Sequence, residues 1–133
     1  MFKNSILKMS VVNVKVQYIK PLGFQNLKEW MEEPNNVYIG RAGIVFIKNE
    51  EGVQERFPKV SSVFANPFKI DKKLDKSKAR NEVIQKYKIY ITERLEKEPE
   101  LVKQLKSLKG KNLGCWCHPE PCHGDVLLEL IDK

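Results

Sequence analysis

The sequence predicts an α/β fold: a single compact domain over residues 1–133, with a central mixed or partly parallel sheet of at least three strands packed with helices. Three observations carry this. Short runs rich in β-branched and aromatic residues alternate with longer stretches of 3.6-residue hydrophobic periodicity. Pro, Gly and Asn punctuate the boundaries between the two kinds of segment. A chain of 133 residues, 41% hydrophobic and 31% charged, suits one core of ordinary globular composition.

Residues 1–9 read as a loose N-terminus, as chain ends do unless something ties them down. Val11 to Ile19 is β-branched and partly alternating, which predicts a first strand. Pro21 and Gly23 end it. Phe24, Leu27, Trp30 and Met31 recur at helical spacing, so a short amphipathic helix is expected over 25–33, with Trp30 as its core anchor. Pro34-Asn35-Asn36 stops it. Val37-Tyr38-Ile39 predicts a second strand, closed by Gly40-Arg41. Residues 42–63 read as a hairpin insertion: Ile44 to Ile47 pairs with Val53 to Phe57 across a polar turn. Asn66-Pro67 marks a further turn.

The longest helix is expected over 77–97. Ala79, Val83, Ile84, Tyr87, Ile91 and Leu95 form one stripe, Asp75 or Ser77 can cap the start, and Pro99 stops continuation. A shorter helix follows, with Leu101, Val102, Leu105 and Leu108 inward and Gly110 as its C-cap. Leu113 to Cys117 then predicts a strand, and Val126 to Ile131 a closing helix.

Composition bounds the function. No apolar run approaches the roughly 18 residues of a membrane helix, so no membrane partner is expected. Met1 to Ser10 lacks the apolar core of a signal peptide. All three cysteines fall in one cluster, which suits a reducing compartment better than a disulfide framework and predicts a cytoplasmic protein. The net charge of +7 comes from 20 lysines and 4 arginines. It fits a lysine-rich solvated surface or an attraction to phosphate and nucleic acid.

The chemistry is concentrated in Leu113-Gly114-Cys115-Trp116-Cys117-His118-Pro119-Glu120-Pro121-Cys122-His123-Gly124-Asp125, which holds every cysteine and histidine of the chain. Strand periodicity puts Cys115 and Cys117 on one face and Trp116 on the other. Pro121 suits the first helical position, which places Cys122, His123, Gly124 and Asp125 in the first turn. Free amides there attract anions and favour a thiolate.

The leading expectation is a catalytic thiol. Cys122 is the nucleophile, His123 or His118 the acid or base, and Asp125 orients a histidine or holds a ribose hydroxyl. Gly40, Arg41, Asn66 and Gly124 are the ligand-binding candidates: Arg41 for an anionic group, Asn66 for a base edge, Gly124 for close backbone approach. The ligand class is a nucleotide or a phosphorylated small molecule, with nucleic acid as a further partner class. No cofactor is expected. Two alternatives stand beside this reading. One is a non-catalytic nucleotide or nucleic-acid binding domain. The other is a zinc-stabilised interaction module with Cys115, Cys117, Cys122 and His123 as ligands. Its spacing is poor, because one residue separates Cys115 from Cys117 and no second ligand pair exists elsewhere. For Cys115, simple burial in a core strand is the blander possibility.

Gly-Cys-Trp-Cys-His-Pro-Glu-Pro-Cys-His-Gly-Asp-Val-Leu at 114–127 resembles the signature of domain-of-unknown-function family 4326. Val37 to Arg41 is similar to that family's Ile-Gly-Arg segment, and Ala65-Asn66-Pro67-Phe68 to its Gly-Asn-Pro-Phe segment. Arg80, Val83, Ile84 and Tyr87 match the helix that follows. The resemblance covers most of residues 37–132. It implies an intracellular protein of bacterial, phage or viral type and brings no reaction with it. Two features depart from the pattern. Ala65 replaces a glycine, which bears on any backbone geometry needing positive φ. The link between Ala42 and Val63 is longer than the family's.

Overall fold

The computed structural model describes residues 10–70, 72–117 and 120–132. The expected loose terminus at 1–9 and the candidate His118 lie outside these residues.

Three parallel strands form the centre: β1 (Ser10–Asn13), β2 (Asn36–Tyr38) and β5 (Asn112–Cys115), in the order β1-β5-β2. Asn13 pairs with Cys115 and Tyr38 with Gly114, so all three strands end at the same edge. A separate antiparallel pair, β3 (Val45–Lys48) and β4 (Gln54–Phe57), forms a hairpin.

Side-chain alternation divides the core between the two sheet faces. Val11, Ile39, Leu113 and Cys115 face α3 (Lys76–Lys97), α4 (Pro99–Ser107) and α5 (His123–Ile131). Ala79, Val83, Tyr87 and Ile91 are the buried face of α3, and the Asp75 carboxylate caps its start by accepting from Lys78 N. On the other face, Val14 and Tyr38 meet Ile19, Leu27 and Trp30 from α1 (Val16–Ile19) and α2 (Leu27–Glu32). Trp30 comes so close to β5 that a Cβ on Gly114 would stand 2.5 Å from its ring. Only glycine admits the ring there.

Three expectations need correction. The first strand ends at Asn13, and Val16 to Ile19 turn into a helix followed by a 3-10 turn at Lys20–Leu22. Tertiary burial of Ile19 against Leu27 and Trp30 overrides the β-propensity of the valines. The last strand stops at Cys115, short of Cys117. The final helix begins at His123, with Cys122 in extended backbone as its N-cap. Ala65 brings no strain, since no described non-glycine residue has a positive φ.

Candidate functional site

Parallel strands place their C-terminal connections together, and in open α/β sheets ligands gather at that edge. Here the edge carries Gly40-Arg41 after β2 and Trp116-Cys117 after β5. A cleft of about 720 Å³ opens between them, α3 and the connection that carries Asn66, Phe68, Lys69 and Ile70.

The thiols meet at its floor. Cys115 and Cys122 are buried, while Cys117 is half-buried and lines the cleft. The sulfurs of Cys122 and Cys115 stand 2.9 Å apart, with no disulfide between them. The Cys122 sulfur accepts from Gly124 N at 3.2 Å, and the Asp125 carboxylate accepts from Cys122 N at 3.0 Å, a capping box built on sulfur.

Cys117 and Cys122 differ in acidity. A hydrogen bond from Cys122, then the Arg80 guanidinium, draw the Cys117 thiol down to about 6 despite its partial burial. Cys122 moves the opposite way, because its bonds to Cys115 and Cys117 and its burial all favour the protonated form. Of the two, Cys117 is thus the thiol drawn toward the thiolate, in contrast to the expectation of an ionised Cys122. Its sulfur is spent on capping and on its two thiol neighbours.

His123 sits under the cleft, edge-on to Tyr87 with ring centroids 5.0 Å apart. Its Nε2 lies 2.8 Å from the Ile39 carbonyl oxygen, which can only accept. Nε2 thus carries the hydrogen, and burial lowers the pKa and keeps the ring neutral. Nδ1 is left as an acceptor, 3.7 Å from the Cys122 sulfur.

The other sequence candidates separate into binding and structural roles. Arg41 lines the cleft, yet its guanidinium donates to the carbonyls of Asn66 at 2.8 Å and Phe68 at 2.9 Å. The Asn66 side chain accepts from Phe68 N, closing a turn, and its residue also lines the cleft. Gly40 is buried at the cleft wall, and its carbonyl accepts from Ser62 N. Gly124 is not among the residues described as lining the cleft. A Cβ there would meet Ile39 and Val11 at 3.0 Å, so its role is close packing of α5 on the sheet. Asp125 is exposed and serves the cap.

Sequence reasoning missed Arg80, Lys69 and Lys72, all of which line the cleft. For Arg80 a signal existed: it lies one helical turn before Ile84, on the margin of the apolar stripe, where a long side chain can lie over the core and keep its charge outside.

Among the described residues, no group of three or more Cys, His, Asp or Glu side chains is arranged to hold an ion.

Fold and site together define a small α/β domain with a thiol-floored cleft at the carboxyl edge of a parallel sheet. The chain belongs to the family described as domain of unknown function DUF4326, whose model matches residues 23–133. It is also similar to an uncharacterized 12.4 kDa protein in the nrdA-td intergenic region of Enterobacteria phage T4, at 42% identity over 38 residues. That match covers 28% of this chain and about a third of the phage protein, 35% of its length. No solved structure matches the chain. No described helix is long and apolar enough to cross a membrane.

Proposed function

We propose that the cleft binds a nucleotide or another phosphorylated small molecule, with the Cys117 thiolate as the reactive group facing it. One observation carries this reading. Arg41, Arg80, Lys69 and Lys72 share the cleft with Phe68 and Trp116, and no acidic residue is among its described lining. Cations without acidic partners select an anion, and aromatic and aliphatic walls take a flat apolar moiety. A nucleotide or a phosphorylated nucleoside-like compound has both parts. The Cys117 thiolate, ionised near neutral pH, supplies a nucleophile at the cleft floor.

Titration calorimetry with a nucleoside, its 5′-monophosphate and ribose 5-phosphate tests the reading. The monophosphate should bind at least about tenfold more tightly than the nucleoside, a difference of about 1.4 kcal/mol, and should weaken as salt rises. Arg80→Ala should remove most of that preference. The monophosphate should also slow alkylation of Cys117. Equal or absent binding of all three compounds would overturn the proposal.

A further inference from the structure

We propose that Cys115 and Cys122 form a reversible disulfide at the cleft floor when a hydroperoxide reaches it. The placement of the pair carries this. The two sulfurs stand 2.9 Å apart, and a disulfide, at about 2.05 Å, needs them to close by only about 0.9 Å. Backbone bonds hold both residues where they are. Cys115 is the last residue of β5, paired with Asn13, and its carbonyl accepts from Val14 N at 2.9 Å. Cys122 is fixed from the other side by the start of α5. Its N–H donates to the Asp125 carboxylate at 3.0 Å, and its carbonyl accepts from Asp125 N at 3.0 Å. The sulfur contact thus joins two framework positions. Cys115 is 1% and Cys122 3% accessible, yet both line the cleft, so a small oxidant that enters meets them.

The steps balance. The Cys122 sulfur attacks the terminal oxygen of the hydroperoxide, and its proton passes to His123 Nδ1, an acceptor 3.7 Å away because Nε2–H is committed to Ile39. An S–O bond forms and the O–O bond breaks. The departing oxygen takes that proton and leaves as the alcohol, or as water from hydrogen peroxide. Cys122 is then a sulfenic acid, having given two electrons to the peroxide. The Cys115 sulfur attacks the Cys122 sulfur. The S–S bond forms, the S–O bond breaks, and hydroxide leaves, taking up the Cys115 proton as water. An external thiol restores both cysteines by exchange, so in a reducing compartment the bond is transient.

The consequence is local. The bond ties the end of β5 to the start of α5 and closes the connection 116–121 into a ring. That connection carries Trp116, Cys117 and Pro121, all of which line the cleft. Oxidation thus restrains the cleft floor and leaves the cations of the cleft in place. The Cys122 sulfur also accepts from Gly124 N at 3.2 Å, so the helix cap and the disulfide share one atom. None of this depends on what the cleft binds or on the ionisation of Cys117.

Peptide mapping of the full chain tests it without ligand. After a small excess of hydrogen peroxide and quenching, the tryptic peptide following Lys111, which holds all three cysteines, should lose the mass of two hydrogens. Two maleimides of different mass then locate the bond. The first, added in denaturant, should mark Cys117. The second, added after reduction, should mark Cys115 and Cys122. Cys117→Ser should lose the two hydrogens at the wild-type rate, because Cys117 takes no part. Cys122→Ser keeps a good helix cap and should fold, and its peptide should keep its mass. In urea the sulfurs are no longer held together, and the same dose should give mixed links. No mass loss in the folded chain, Cys117 in the first-formed bond, protection of Cys117→Ser from oxidation, or a two-hydrogen loss in Cys122→Ser would each overturn the proposal.

Discussion

Arg41 Nε donates to the Asn66 carbonyl oxygen at 2.8 Å, and the same guanidinium reaches the Phe68 carbonyl. One side chain thus ties the end of β2 to the loop that forms a wall of the cleft. Arginine's planar fork can serve two carbonyls at once; a lysine ammonium cannot match that geometry. The same residue holds the wall and lends the cleft its charge.

Arg41→Ala should therefore destabilise the domain by about 2–3 kcal/mol, the loss of two charge-assisted hydrogen bonds in a half-buried position. Arg41→Lys should recover only part. Urea unfolding measures both. An Arg41→Ala midpoint equal to wild type would mean that the clamp is loose in solution.

Alkylation should find Cys117 first. Its rate with iodoacetamide should rise through a midpoint at about pH 6, while Cys115 and Cys122 stay slow. Arg80→Ala should move the midpoint up, since the guanidinium is one cause of the lowered pKa. Faster labelling of Cys122 at neutral pH would reverse the assignment.

Stability should depend on pH through Cys117. Its folded pKa lies below its unfolded value, so the unfolded chain binds more protons between the two. The stabilisation is full above the ordinary thiol value of 9.0 and is lost as pH falls through about 6. His123, lowered by burial, adds loss in the same direction below its ordinary 6.5. Melting temperatures across this range should flatten between pH 6 and 9 in Cys117→Ser. An unchanged slope in that variant would exclude Cys117 as the source.

Gly114→Ala should be among the costliest small substitutions. The new Cβ would stand 2.5 Å from Trp30 and 2.8 Å from Val14, both buried. A loss of about 3 kcal/mol, at the upper end for overpacking, is expected in calorimetric melting. A near-neutral result would mean that α2 can shift away from the sheet.

Chelation should leave the melting temperature unchanged. If zinc held the thiols, its binding energy would be part of folding and its removal would collapse the transition. One equivalent of tightly held zinc in purified protein, with that collapse, would replace the thiol chemistry with a structural staple.

What the sequence determined by itself was local. The stripe from Ala79 to Ile91 specified α3 because a 3.6-residue period has one burial solution. The 114–127 motif located the site and carried the family resemblance, since its residues are adjacent in the chain. Tertiary structure decided the rest. Val14 to Ile19 has strand composition, but β1 stops at Asn13, the partner of Cys115 at the end of β5, and Ile19 finds a deeper contact on the far face of the sheet. Gly124 reads as a ligand contact until Ile39 and Val11 are seen to fill its space. The pull toward a thiolate falls on Cys117 rather than Cys122 for a related reason. A helix terminus is legible in sequence, whereas acidity depends on which sulfurs and which guanidinium converge, and Arg80 arrives there from another element. Spacing along the chain specifies periodicity and caps, but charge and close contact between distant elements exist only once the chain has folded.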